Sequence, residues 1–303
     1  MYSNTEFEFK KARDFSGMLN ATFDFIRLHF RYLLRYLFLY AGIPASVGSF
    51  LIAFFQADMA MLGAEQAGSD QEIIGSVMMF IGAILLAAVI LLIASAMVVA
   101  VATEYVILAA EYMHPPEQQE LWNRMRPRLP GYFLTQLAAG LLIMLGFILC
   151  VAPGIWLFIV FTILYAVRSI EGAGIIDSMK RSYQLIRGRW WITAGLFTVM
   201  LIIAYMLSGI FSLPALILMF TSGILTDQEH LFAMSLPVRS AYILLSMLSN
   251  LASVIGSASI YIMAALYYFN LIESQPATGI QRKMESIGKT NVEQNPDDFH
   301  EEY

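Results

Sequence analysis

The chain has 303 residues, of which 58% are apolar and only 14% charged, and its mean hydropathy is +0.66. Soluble domains carry about a quarter charged residues, so this composition excludes an ordinary water-soluble globule. The formal net charge of −5 gives no ground for a nucleic-acid partner, and a single cysteine cannot build a disulfide framework or a cysteine metal site.

The first segment, 1–35, mixes charge with aromatic residues and has no short apolar core followed by a small-residue cleavage site, so no secretory signal is expected. Within it Phe15, Met18, Leu19, Phe23, Ile26 and Phe30 recur at helical spacing, opposite Asp14, Asn20, Asp24, Arg27 and Arg31. That pattern predicts an amphipathic helix lying in the membrane interface.

Five runs without any Asp, Glu, Lys or Arg follow, at 36–57, 73–103, 131–167, 190–226 and 240–272. About 20 helical residues cross a bilayer core of ~30 Å. The first, second and fifth runs give one span each, with Pro44, Gly42 and Gly48 expected to kink the first. The third run gives two short spans broken at Pro153-Gly154, although a re-entrant hairpin would leave the sidedness the same. Cys150 reads there as a small packing residue at the outer end of the third span. The fourth run crosses once, with Pro214 ending or kinking its helix near the far side. Stretches such as 83–94 are apolar on every face, which excludes the alternating strands of a membrane β-barrel. The fold class is therefore all-α: a polytopic bundle of six transmembrane helices at about 36–57, 74–102, 131–151, 154–168, 190–212 and 240–270. A polar, largely disordered tail covers 273–303.

Seventeen of the 18 Lys and Arg residues fall in alternate gaps between these runs, and the gap at 58–72 holds four acids and no base. Excess basic charge marks the cytoplasmic side, so both termini are expected to be cytoplasmic, in a bacterial inner membrane. Trp122, Trp156, Trp190 and Trp191 all fall near predicted interfaces, where such rings are favoured.

A second amphipathic segment precedes the fifth span, with Ile175, Ile176, Met179, Tyr183 and Ile186 opposite Asp177, Lys180, Gln184 and Arg187. Laid on the first segment it matches Thr22 to Ser182, Phe23 to Tyr183, Ile26 to Ile186, Arg27 to Arg187 and Phe30 to Trp190. Tyr105, Ala109 and Tyr112 likewise match Tyr261, Ala265 and Tyr268. The pattern suggests a parallel internal repeat of an interfacial helix and two spans, with the third and fourth spans inserted.

Three groups of residues stand out as candidate sites. Lys180, Arg181, Arg187 and Arg189 beside Trp190 and Trp191 form a basic aromatic patch suited to anionic lipid headgroups or a protein partner. Ser246, Asn250, Ser253, Ser257 and Tyr261 share one face of the sixth span, as a polar pathway or as a surface for close helix packing. Glu104 and Glu111 share a face at the end of the second span, where Glu104 is expected to be interfacial and to pair with Arg168 or Arg187. No metal or cofactor site and no enzyme motif for zinc, phosphate or serine nucleophile chemistry is visible.

Pro153-Gly154-Ile155, Arg168-Ser169-Ile170-Glu171-Gly172 and the run from Ser178-Met179-Lys180-Arg181-Ser182-Tyr183 to Arg187-Gly188-Arg189-Trp190 resemble a diffuse family of bacterial six-span inner-membrane proteins. That family includes the membrane domain fused to some glycerophosphodiester phosphodiesterases. The ending Tyr267-Tyr268-Phe269-Asn270-Leu271-Ile272-Glu273 resembles stand-alone Bacteroidetes members of unassigned function. The resemblance brings no catalytic residues, and the phosphodiesterase barrel has no counterpart in this chain. The expectation is a non-enzymatic membrane scaffold or accessory subunit that binds lipids, a protein partner or a second copy of itself. The alternative is a small transporter using the sixth-span polar face.

Overall fold

A computed structural model describes residues 8–9, 11–62, 70–225 and 236–274. The turns expected around 63–69 and 226–235, and the tail from 275 onward, lie outside the described residues. All regular structure in the described residues is helical. In chain order it comprises α1 (Phe15–Tyr36), a π-helical segment (Leu37–Gly42), α2 (Ile43–Leu62), α3 (Asp70–Tyr112), α4 (Gln118–Met125), a 3-10 turn (Arg126–Arg128), α5 (Leu129–Leu149), α6 (Val151–Val160), α7 (Leu164–Glu171), α8 (Ile175–Ile186), α9 (Trp190–Leu225) and α10 (Leu236–Glu273). Six stretches are long and apolar enough to cross a membrane: Phe15–Phe54, Val77–Tyr112, Gln118–Leu149, Val151–Glu171, Trp190–Leu218 and Pro237–Glu273.

The first span differs from its expectation. Asp14 caps α1 by accepting the Gly17 N–H at 2.9 Å, and the helix then continues into α2 with no separate interfacial element. Pro44 has no N–H to give, and the widened π turns directly before it absorb the defect. The face that α1 buries is Met18, Thr22, Phe25, His29, Leu33 and Tyr36, while Phe15, Phe23 and Phe30 stay exposed. The apolar stripe is wider than the surface it packs against, since Met18 is buried and the three phenylalanines face outward.

Prolines and glycines set the remaining breaks. Pro214 does not end α9, which runs on to Leu225. Such prolines are tolerated in membrane helices because local adjustments and neighbouring groups re-satisfy the freed carbonyl. The hairpin between α5 and α6 turns at Cys150, whose backbone is extended, and Pro153 sits inside the first turn of α6. Cys150 is exposed, which corrects its expected packing role. Close approach of the two arms needs Gly146 and Gly154: a Cβ on Gly146 would lie 3.0 Å from the Gly154 Cα.

Packing density is uneven along the bundle. Every residue of α3 from 98 to 109 is buried, as is every residue of α10 from 262 to 268. Toward the opposite end Met78 on α3 is 70% exposed and Ile210 on α9 is 65% exposed, as suits helices whose neighbours are lipid. The chain enters and leaves the bundle at the dense end, where the Asn270 amide donates to the Arg13 carbonyl at 3.0 Å. This end, which carries Arg124, Arg128, Arg168 and the α8 cations, is called the basic end below.

The proposed repeat is matched in register but not in path. Met18 and Ser178, Thr22 and Ser182, and Phe25 and Leu185 are buried pairwise, while Phe23 and Tyr183 are both exposed. However, α8 stops at Ile186 and the chain turns through Gly188, at φ +90°, before α9 begins, whereas α1 runs straight on. Only glycine adopts that left-handed conformation without strain.

Candidate functional site at the basic end

Glu104 is the centre of the most elaborate polar arrangement in the described residues. Its side chain has no exposed surface. One carboxylate oxygen accepts the Tyr132 hydroxyl at 2.8 Å and the Ser169 hydroxyl at 2.6 Å. The other accepts Arg124 Nε at 2.9 Å and Arg128 Nη1 at 3.2 Å. Arg124 reaches on to Glu111 at 2.5 and 2.8 Å. Four elements besides α3 are thereby tied to one buried carboxylate: α4, the 3-10 turn, α5 and α7. A buried charge is tolerable only with its lone pairs filled in this way.

Local sequence explains the placement. Glu117 and Glu120 form a capping box that starts α4, and Trp122 stacks on Tyr40 at 5.2 Å, holding the short helix against the first span. Tyr36 donates to the Pro116 carbonyl at 3.0 Å and fixes the approach to α4. Arg124 and Arg128, one turn apart, then face Glu104 and Glu111, two turns apart, with Arg124 bridging both acids and Arg128 meeting Glu104. An open concavity of about 650 Å³, lined by Leu108, Tyr112, Glu120, Asn123, Arg124, Pro127 and Arg128, lies on the outer side of the network.

The expected Glu104–Arg168 pair is not made, because Glu104 is already saturated by four donors. Arg187 is exposed and does not pair with it either. Arg168 instead lies over Gly131, and its Nη1 is buried with no hydrogen-bond partner.

The basic aromatic patch divides into two kinds of residue. Arg181 pairs with Glu171 at 3.0 Å, which also accepts the Tyr268 hydroxyl, and Arg189 donates to Ser274 at the end of α10. These two cations tie α8 and the start of α9 to the bundle. Lys180 and Arg187 are exposed, as is Trp191 at 82%, while Trp190 is half-buried against Trp191 and the α6–α7 core. On α8 the buried side is Ser178, Ser182, Leu185 and Ile186, and Ile176 (67%) and Tyr183 (38%) face outward.

The polar face of the sixth span also divides. Ser253 donates to Ser208 of α9 at 3.0 Å, Ser257 donates to its own helix at the Val254 carbonyl, and Tyr261 packs edge-on against Tyr165. Beside them a Cβ on Gly256 would lie 3.0 Å from the Ala204 carbonyl, so this half of the face is a close helix contact. Ser246 and Asn250, further out, line a cavity of about 250 Å³ with Ser49, Ser212, Tyr242 and Ser249.

Sequence reading missed Arg124, Arg128, Tyr132 and Ser169 as partners of Glu104. The i, i+4 arginines opposite an i, i+7 glutamate pair were the available signal; Tyr132 and Ser169 carry none until the hairpin is folded. No family model, no curated protein and no solved structure matches this chain.

Proposed function

We propose that this chain is a non-enzymatic, multi-pass protein of the bacterial inner membrane, oriented with its basic end in the cytoplasm, where α8 and the start of α9 form a collar that holds anionic lipid headgroups. One observation carries this reading. On α8 the small hydroxyl residues Ser178 and Ser182 face the protein, while Ile176, Tyr183 and Trp191 face outward beside exposed Lys180 and Arg187. An exposed apolar surface edged by cations suits the headgroup region of an anionic membrane. The relation to the membrane domain of glycerophosphodiester phosphodiesterases belongs to the same proposal and rests on the residues quoted for it.

Energy transfer from tryptophan to dansyl-labelled lipid in proteoliposomes tests the collar. Transfer to dansyl-phosphatidylglycerol should exceed transfer to the phosphatidylcholine probe, and Lys180→Gln with Arg187→Gln should remove the preference. No difference between the lipids in the wild type would sink the idea. Reporter fusions test the orientation: positions 58–72 should read periplasmic and 124–129 cytoplasmic.

A second reading, a small transporter, is favoured by the cavity at Asn250. Asn250→Leu with Ser253→Leu separates the roles. Loss of substrate movement with normal assembly supports a pathway, whereas lost stability supports packing.

A further inference from the structure

Arg168 is out of keeping with its surroundings. A guanidinium carries five N–H donors and a permanent charge, and buried charges are normally paired. Every other arginine drawn into the interior of the basic end has an acceptor: Arg124 has Glu104 and Glu111, Arg128 has Glu104, Arg181 has Glu171 and Arg189 has Ser274. The Arg168 side chain makes no hydrogen bond or ion pair with any described residue; it is half-buried, and its Nη1 has no solvent contact. The last turn of α7 supplies partial negative charge near it but no acceptor.

The space around the group is built for it. A Cβ on Gly131 would lie 2.9 Å from Nη2 and 3.4 Å from Nε, so a missing side chain at the third position of α5 lets the guanidinium lie there. One turn earlier stands Arg128, whose side chain is 41% exposed. Arg124 and Arg128 take up Glu104 and Glu111, Glu120 is engaged in the α4 capping box, and Arg168 has no acid of its own. The cluster is one negative charge short.

We propose that Arg168, with Arg128 beside it, binds a phosphate group at the start of α5. The planar guanidinium fork matches phosphate oxygens in a bidentate way, and the unpartnered nitrogens supply the donors. The phosphate can come from a phospholipid headgroup at the interface or from free phosphate in the aqueous phase. The site goes beyond the collar reading and stands without it, since it uses no residue of α8 or α9.

The test uses the full-length chain in dodecyl maltoside micelles, which carry no phosphate, alone or with a minor fraction of phosphatidylglycerol. Native mass spectrometry counts retained phosphatidylglycerol, and calorimetry titrates inorganic phosphate. Variants are Arg168→Gln, Gly131→Ala, which pushes a methyl group into the guanidinium, and Lys180→Gln with Arg187→Gln as the collar control. For a lipid source, the wild type retains phosphatidylglycerol and both site variants lose it about tenfold or more, as expected for charge-assisted hydrogen bonds, while the collar control keeps it. For free phosphate, the same loss appears in the titration. A wild type that binds neither probe, or site variants that bind as the wild type does, overturns the proposal. If Arg168→Gln does not elute as a folded protein, Gly131→Ala and Arg168→Lys decide by the same comparison.

Discussion

Replacing Glu104 by glutamine should destabilise the bundle more than any other single charge removal at the basic end. The amide keeps the shape of the carboxylate and one acceptor oxygen, so the Tyr132 and Ser169 hydroxyls can still be served. Its NH₂ group, however, would face Arg124 Nε and Arg128 Nη1, two donors now at 2.9 and 3.2 Å. A hydrogen bond to a charged group contributes about 1.5–3 kcal/mol. Arg124 is 20% exposed and keeps Glu111, and Arg128 is 41% exposed and can turn to water, so both contributions are discounted. The expected cost is about 3 kcal/mol, at the lower edge of the range for breaking a buried pair. Glu111→Gln, whose side chain is 47% exposed, should cost about 1 kcal/mol or less. Unfolding in mixed micelles, followed by tryptophan fluorescence, measures both. A Tyr132→Phe double-mutant cycle with Glu104→Gln should show coupling of about 0.5 kcal/mol or more, because the bond between the two changes from charge-assisted to neutral. Equal costs for Glu104→Gln and Glu111→Gln, or a Glu104 variant as stable as the wild type, would refute the clamp.

Gly256→Val should cost about 1–3 kcal/mol, since the added atoms meet the backbone of Ala204 and the helices must separate, whereas Gly209→Ala, with open space around it, should be neutral. Ser253→Ala should cost only about 0.6 kcal/mol, the average for a hydrogen bond between membrane helices, measured in the same unfolding assay. Cys150 is the only cysteine and is exposed at the α5–α6 turn. A membrane-impermeant maleimide should label it in whole cells with permeabilised outer membranes, and protection there would mean that the hairpin does not cross.

Helix identity and the six candidate spans were legible because burial in lipid demands long apolar runs. Residues that act by removing bulk or accepting strain were read less well. Pro214 was read as ending or kinking its helix, and it does not end α9; at Pro44, read as a kink, a π segment lies directly before the proline. On α1 and α8 the apolar stripe runs onto the exposed side, so hydrophobicity named exposed Phe23 and Ile176 along with buried Met18 and Ile186, whereas it passed over buried Thr22, Ser178 and Ser182. Glu104 was legible as unusual. Its partners were not, because tertiary folding brings Arg124, Arg128, Tyr132 and Ser169 to it from separate elements.

The clamp and the cavity lie at different heights in the same bundle, and that separation constrains any mechanism. Residues 98–109 of α3 are buried without exception and fastened through Glu104, so the basic end has little freedom. Nearer the opposite end, Met78 (70%) and Leu244 (66%) are exposed, and the Asn250 cavity separates α2, α9 and α10. Regions with few buried contacts open at the lowest free energy, so rearrangement should pivot on the basic end. Spin labels placed in a Cys150→Ser background at Met78 and Leu244 should give a broad distance distribution. Labels at Tyr112 and Ile176, both exposed at the basic end, should give a narrow one. Equal widths would mean that the bundle moves as one body, and the transporter reading would then lose its mechanical basis while the collar reading would not.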